Sequence, residues 1–481
     1  MGASISKGFF WKLLERFSVS GIQFVLQIVL ARLLSPEHYG VLSIMIIFTN
    51  LANIFVQSGF NTGLIQKKGI EEEDYSSVLW VSLGVAVLLY CIIFVVSPWI
   101  GEFYNMPDIV TPMRVLALML IPGAINSVQL AKVSRELDFK KVFYSNICGA
   151  LVSGVVSIAI ALMGGGLWAL VAQSLINVVV VCIVMRFTVE LKIRLAINWS
   201  RIKVLFSFGW KLLVSSLLDS LYTELNSLVI GKKYDSGTLG YFNRGKQFPQ
   251  YICNVVNGAV QSVMLPAMSS NQDNSVKVKA MMRTSLSVCA YIMFPVMAGL
   301  AAVSEPLVRL LLTEKWLPCV PYMMLYCFTF AFYPVHSCNL QAINAMGRSD
   351  IFLKLEIIKK TYGIVILSIA VFCFDSPLAI AATGLVTTWI GWFVNAFPNK
   401  KLLNYSYLEQ IKDVLPSMVM ALVMCGVVLL VGQLEISDFL LLVVQMLVGV
   451  VVYLLLSVIF KPEPYRLVVP QIKNILNKKK A

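Results

Sequence analysis

The chain has 481 residues, 58% of them hydrophobic and 13% charged, with a mean hydropathy of +0.80 and a formal net charge of +14. That balance excludes an ordinary water-soluble domain and describes a protein that crosses a membrane many times. At ~20 apolar residues per crossing, the length holds roughly a dozen or more helices, which excludes nucleotide-binding, kinase and other extramembrane catalytic domains.

In chain order, apolar runs between loop signals predict fourteen membrane helices, near residues 8–33, 40–63, 76–97, 110–133, 142–163, 166–186, 204–231, 240–265, 281–303, 319–346, 352–374, 377–397, 413–432 and 438–460. The start, Met1 to Lys7, leads straight into a charged helical pattern and lacks the short apolar run of a signal peptide, so the first helix is expected to remain in the mature protein. Lys and Arg concentrate at the N-terminus, in alternate loops such as 132–141 and 186–203, and in the C-terminal tail. The positive-inside rule then places both termini in the cytoplasm, in agreement with an even number of helices. The net charge is thus mostly a topology signal with some attraction to anionic membrane lipids, and no nucleic-acid partner is expected. The ten cysteines occur singly and the only histidines are His38 and His336. No disulfide framework, metal site or redox site is expected from them.

An internal repeat organises the chain. Trp11-Lys-Leu-Leu14 recurs as Trp210-Lys-Leu-Leu213, Tyr39-Gly40 as Leu239-Gly240, and Pro122 with Gln129 as Pro334 with Gln341. The first six helices and the next six therefore read as two copies in the same orientation, related by a pseudo-twofold along the membrane normal. The predicted fold is an all-α polytopic membrane protein with two six-helix lobes around a central cavity and a C-terminal helix pair. Its parts are an N-lobe at 1–186, a cytoplasmic linker at 187–203, a C-lobe at 204–397, two further helices within 398–460, and a basic cytoplasmic tail at 461–481.

Polar residues recur at helical spacing on the leading pair of helices in each copy. The first helix carries Lys12, Arg16, Ser20, Gln23 and Gln27; its equivalent carries Lys211, Ser215, Asp219, Tyr222 and Asn226. The second carries Asn50, Asn53, Gln57 and Asn61; its equivalent carries Arg244, Gln247, Gln250 or Tyr251, Asn254, Asn257 and Gln261. Such residues find no partner in lipid, so they face other helices or a hydrated cavity. Four matched stripes favour the cavity. Lys12, Arg16 and Lys211 fit either snorkelling to the cytoplasmic face or an anion site, and Arg244 and Lys246 fit the same two roles at the outer end. Bases outnumber acids along the stripes, which suits an anionic cargo, and the planar Arg fork matches phosphate oxygens. Asp219 is the candidate proton or sodium site. Glu356 and Lys360, four apart, are expected to pair. Pro122, Pro295 and Pro334 fall inside predicted spans and should kink them, while Trp99 and Trp316 read as interfacial anchors. No catalytic acid, base and nucleophile converge, so no catalytic residues are assigned and the chain is expected not to be an enzyme.

The segments Lys7-Gly-Phe-Phe-Trp-Lys-Leu-Leu-Glu-Arg16, Ala31-Arg-Leu-Leu-Ser-Pro-Glu-His-Tyr-Gly40, Ser58-Gly-Phe-Asn-Thr-Gly63, Arg135-Glu-Leu-Asp-Phe139 and Gly240-Tyr-Phe-Asn-Arg244 resemble the polysaccharide-exporter branch of the multidrug/oligosaccharidyl-lipid/polysaccharide flippase superfamily. More narrowly, the chain is similar to Wzx-type flippases of exopolysaccharide clusters. The resemblance spans nearly the whole chain and implies a flippase of the bacterial cytoplasmic membrane. Its implied cargo is an undecaprenyl-diphosphate-linked oligosaccharide repeat unit for exopolysaccharide, O-antigen, capsule or teichuronic acid synthesis, moved by alternating access. It further implies that Lys12, Arg16, Lys211 and Arg244 attend the diphosphate and that Asn50, Gln57, Asn254, Asn257 and Gln261 contact sugar or water; Gln23, Gln27 and Asn226 join this candidate substrate-binding set. Ser215 and Asp219 stand where the first copy has Arg16 and Ser20, so the second copy is less basic. No cofactor is expected, coupling to a proton or sodium gradient stays open, and a polysaccharide polymerase and chain-length machinery are the expected protein partners. The alternatives are a multidrug-extrusion-type antiporter, whose cavity would pair cationic drugs with deep carboxylates, and a membrane-embedded polysaccharide polymerase.

Overall fold

The computed structural model describes residues 2–57, 61–67, 69–191, 193–194 and 197–466, so the expected basic tail lies outside the described residues from position 467 onward. Eighteen α-helices and no strand occur among the described residues. They are α1 (Gly2–Leu33), α2 (Pro36–Gln57), α3 (Asn61–Gln66), α4 (Glu72–Phe103), α5 (Val110–Ala117), α6 (Leu120–Glu136), α7 (Phe139–Leu162), α8 (Leu167–Thr188) and α9 (Trp199–Lys233), then α10 (Ser236–Ser269), α11 (Ser275–Ala302), α12 (Ser304–Leu312), α13 (Val320–Ala331), α14 (Tyr333–Ala345), α15 (Ser349–Cys373), α16 (Pro377–Leu403), α17 (Tyr407–Val431) and α18 (Asp438–Phe460). Among the described residues eleven helical segments are long and apolar enough to cross a membrane, or twelve when α9, bent by 50° between Ser207 and Gly209, counts as one. The more polar α10, with Arg244, Lys246 and its amides, and α15, with Lys354, Glu356, Lys359 and Lys360, fall outside that set.

Local chemistry sets the helix limits. Asn198 and Asn274 cap α9 and α11 by accepting the N–H of Arg201 and Lys277 at 3.3 and 3.0 Å, and Ser406 with Glu409 forms a capping box on α17. The predicted spans 110–133 and 319–346 are each broken in two, between α5 and α6 and between α13 and α14. Pro122 and Pro334 sit in the first turn after the break, where a missing N–H costs little, whereas α11 runs on through Pro295.

The helices group into two compact units, Met1–Gly240 and Tyr241–Ala481, divided inside α10. The repeat-based lobes divide the sequence at the 187–203 linker instead; α9, the leading helix of the second copy, packs on α2, α3 and α4 within the first unit. In that unit α7 lies between α1 and α8, and α4 packs on α5 and α6. Pro98 in α4 has no N–H for the carbonyl of Phe94, and two side chains take its place: Ser97 Oγ and Arg114 Nε donate to that oxygen at 3.0 and 3.1 Å. The Arg114 guanidinium also stacks 4.1 Å from the Phe94 ring centroid. At the other end of α4, Arg201 of α9 clasps three carboxylates, with Glu71 at 2.7 Å, Asp74 at 2.9 Å and Glu73 at 3.6 Å. Lys67 adds a second cation 3.1 Å from the fully buried Asp74. The linker is laced to the same place, the N–H groups of Arg194 and Asn198 donating to Ser76 and Ser77, each at 3.0 Å.

In the second unit α11 packs on α13, α14 and α17, and α16 on α13, α14 and α15. The two helices beyond the repeat are tied in by polar contacts. Tyr291 of α11 donates to Ser457 at 2.8 Å, Tyr453 donates to the Tyr291 carbonyl at 2.8 Å, and Gln445 donates to the Val428 carbonyl at 3.1 Å. A buried amide cluster joins three helices. Asn339 of α14 exchanges hydrogen bonds with Gln410 of α17, both at 3.2 Å, and Asn399 of α16 donates to Asn339 Oδ1 at 2.8 Å. Each of the three side chains is wholly buried, so this mutual pairing is what makes their burial tolerable.

Candidate functional site

In the first unit the stripe on α1 rises from a cationic and aromatic patch. Lys12 Nζ lies 2.9 Å from Glu15 Oε2, and Glu15 Oε1 accepts from Asn146 Nδ2 of α7 at 2.9 Å. The Lys12 ammonium also sits 5.6 Å from the Phe139 ring centroid. Beside it Trp11 meets Phe143 and Tyr144 at ring separations of 5.3 and 6.1 Å, and Lys140 stands 5.7 Å from the Trp11 ring. Cations over electron-rich faces keep rings and charges on one surface. Arg16, one turn farther along, is exposed, and Gln23 and Gln27 continue the face half-buried. At 1.5 Å per residue the stripe from Lys12 to Gln27 is about 22 Å long, most of a bilayer core.

On α2, Asn50 is exposed while Gln57 donates to Asn53 Oδ1 at 3.0 Å, so part of that stripe satisfies itself one turn away. On α9, Lys211 and Asp219 are exposed and Asn226 is half-buried; the backbone carbonyl of Asp219 accepts the Thr223 hydroxyl at 2.8 Å.

In the second unit the stripe on α10 behaves differently. Arg244 is only 4% exposed: its Nη1 donates to Gln247 Oε1 at 2.7 Å, and its guanidinium lies 5.1 Å from the Trp316 ring centroid. Gln247 passes the chain on to Tyr251 OH at 3.1 Å. Trp316 is itself fully buried, which corrects its assignment as an interfacial anchor: the 3-10 turn Glu314–Cys319 folds it inward under Arg244 and edge-on to Tyr241. Trp99, by contrast, is 63% exposed. Gly245 lets α10 come this close, since a Cβ there would stand 2.7 Å from the Cys319 carbonyl oxygen. Farther along α10, Asn254 and Gln261 are exposed, and Asn257 is buried with an Oδ1 that has no hydrogen-bond partner among the described residues. Glu356 pairs with Lys359, three residues along the same helix.

Sequence spacing therefore located polar faces on α1, α2, α9 and α10 but not the burial of Arg244 under Trp316. It missed Asn146, which holds Glu15, and the Phe139–Tyr144 aromatics beside Lys12; a run of two Lys between aromatics at the head of α7 was the available signal.

Comparison with known proteins places the fold and the family. Over 411 residues the chain is 24% identical to the lipopolysaccharide biosynthesis protein WzxC of Escherichia coli strain K12, covering 85% of this chain and 81% of that one. Among solved structures it shares its fold with the lipid II flippase MurJ in an inward closed conformation, with a TM-score of 0.76 and 16% identity over 94% of this chain and 98% of MurJ. An inward-facing multidrug resistance transporter of the MATE family and MOP superfamily matches with a TM-score of 0.62 and 16% identity over 82% of this chain and 99% of its own. The family model described as polysaccharide biosynthesis protein matches residues 29–321, more than half of the sequence, and the chain belongs to that family.

Proposed function

We propose that the protein is a carrier that moves an undecaprenyl-diphosphate-linked oligosaccharide across the bacterial cytoplasmic membrane, with both termini in the cytoplasm, for the assembly of a surface polysaccharide. Fourteen crossings serve it, α10 and α15 included, arranged as two six-helix repeats and a final pair. The observation that carries the proposal is the patch at the foot of α1: exposed Lys12 over the Phe139 ring, Trp11 packed on Phe143 and Tyr144 next to it, and exposed Arg16 one turn farther along the helix. Cations recognise a diphosphate and aromatic faces recognise the apolar faces of sugars, so the patch suits a ligand that joins the two. The family membership and the name of the relative WzxC favour a saccharide cargo, and the name of the fold neighbour MurJ favours a lipid-linked one.

In this account Lys12 is held by Glu15 until the diphosphate competes for it. Arg16 and Lys211 are further candidate anion contacts in the first unit, and Arg244 in the second. The amides Gln23, Gln27, Asn50, Gln57, Asn226, Asn254, Asn257 and Gln261 meet sugar hydroxyls or water, and Asp219 takes a coupling proton or sodium ion. Transport needs no covalent step, so the protein acts as a carrier rather than an enzyme and hands its cargo to a polymerase. The test is to replace Lys12 and Arg16 by alanine together. At normal membrane abundance the double variant should fail to restore polysaccharide export to cells depleted of the protein; full restoration would remove the patch from the function.

A further inference from the structure

The turns that open α2 and α10, Ser35-Pro-Glu-His-Tyr-Gly40 and Asp235-Ser-Gly-Thr-Leu-Gly240, occupy equivalent places in the two repeats and meet within the first unit. The second is firmly capped, Thr238 donating its N–H and hydroxyl to the Asp235 carboxylate at 2.8 and 2.9 Å. Although burial pushes Asp235 upward, these bonds hold its carboxyl below the usual range, so it remains a carboxylate at neutral pH.

The two turns touch backbone to backbone. A Cβ on Gly40 would lie 1.7 Å from the Ser236 carbonyl oxygen, and a Cβ on Gly240 would lie 2.1 Å from the Pro36 carbonyl oxygen and 3.3 Å from the Gly40 nitrogen. Position 40 thus presses on 236 while 240 presses on 36, the exchange of equivalent atoms that marks an isologous contact. Any side chain at either glycine forces the turns apart by about 1.5 Å to reach ordinary van der Waals distance. Around the crossing the equivalent pairs Leu30 and Ile230, Ala31 and Gly231, and Tyr39 and Leu239 are all buried, forming an apolar plug at this end of α1, α2, α9 and α10.

We propose that Gly40 and Gly240 form the reversible contact of a gate, closed in this structure, which parts when the stripes of α1, α2 and α9 become accessible from this end. The proposal rests on the carrier function above. A smooth crossing of two glycines can separate and re-form without unthreading interlocked side chains, and its symmetry lets both turns withdraw alike.

Asn50→Cys provides the probe, exposed on α2 about 15 Å along the helix from Gly40. Its rate of reaction with a membrane-impermeant maleimide is measured in right-side-out and in inverted vesicles, above the background of the native cysteines. In the variants Gly40→Ala and Gly240→Ala, labelling from the side of the gate should rise at least about fivefold, as the closed state loses population. Gly84→Ala, where a Cβ meets nothing within 4 Å, should leave the rate unchanged. Folded alanine variants that label at the parental rate would overturn the proposal.

A disulfide trap decides the matter should the alanine variants not fold. Glu37 Oε1 lies 3.3 Å from the place of a Gly237 Cβ, so a short bis-methanethiosulfonate linker, which forms a reducible disulfide with each thiol, can join the turns through Glu37→Cys and Gly237→Cys. The linked pair should abolish labelling from the gate side and stop export, both regained on reduction. Export that persists in fully crosslinked protein would refute the gate. Because labelling reports conformation without cargo, the gate can fail while the carrier function stands, and the reverse.

Discussion

Replacing Arg114 by methionine should destabilise the protein through a single carbonyl oxygen. Pro98 deprives the Phe94 carbonyl of its helical donor, and Arg114 Nε supplies one at 3.1 Å while also contacting Ser97 Oγ at 3.0 Å. A hydrogen bond from a charged donor contributes about 1.5–3 kcal/mol and the stacking on Phe94 roughly 0.5–1 kcal/mol more. Arg114 is half-buried and Ser97 remains as a second donor, so a net loss of about 2 kcal/mol is expected. The cause can be isolated with Pro98→Ala, which returns an N–H to the Phe94 carbonyl. In that background the cost of Arg114→Met should fall by about 1 kcal/mol, a coupling that a double-mutant cycle resolves. Denaturant unfolding in detergent micelles, followed by tryptophan fluorescence, gives the four stabilities. An Arg114→Met cost that is the same with Pro98 and with Ala at that position would refute the reasoning.

Three further outcomes are expected. Arg201→Ala removes the shared partner of Glu71, Glu73 and buried Asp74 and leaves Asp74 with Lys67 and the Glu71 N–H; the midpoint of denaturant unfolding should fall and proteolysis of the linker should quicken. Asn339→Leu leaves buried Gln410 Nε2 without its acceptor, while Asn399 keeps the Asn339 carbonyl and Gln410 Oε1 keeps the Trp392 indole N–H; it should cost roughly 1–3 kcal/mol in the same unfolding assay, whereas Asn254→Leu, at an exposed site, should cost under about 0.5 kcal/mol. Trp316→Ala should open a cavity beneath Arg244 and destabilise by about 3–5 kcal/mol, and Trp99→Ala, at an exposed site, by far less.

Much of the architecture is written in local pattern. Apolar runs, the Asn198, Asn274 and Ser406 caps and the paired prolines of the repeat all act within a few residues, so hydropathy and spacing locate the helices. Polar periodicity likewise found the exposed faces of α1 and α9. Neither could show that Arg244 would be buried, because its burial depends on the 3-10 turn that brings Trp316 across from much later in the chain. The Asn339, Asn399 and Gln410 cluster was hidden for the same reason: each amide is unremarkable on its own helix and acquires meaning only when α14, α16 and α17 meet. The Gly40 and Gly240 crossing lies between these cases. The repeat showed the two glycines as equivalent, but only the folded chain shows that each needs to be glycine because the other's turn is there.

The most direct test of the carrier function is mass spectrometry of polyprenyl-linked saccharides, with leaflet accessibility, in the native host after depletion of this protein. Diphosphate-linked single repeat units should accumulate on the cytoplasmic side and disappear on re-expression, and the spectrum would name the cargo. An unchanged lipid-linked pool would contradict the account in favour of an antiporter. Unpolymerised units gathering at the outer face would contradict it in favour of a polymerase.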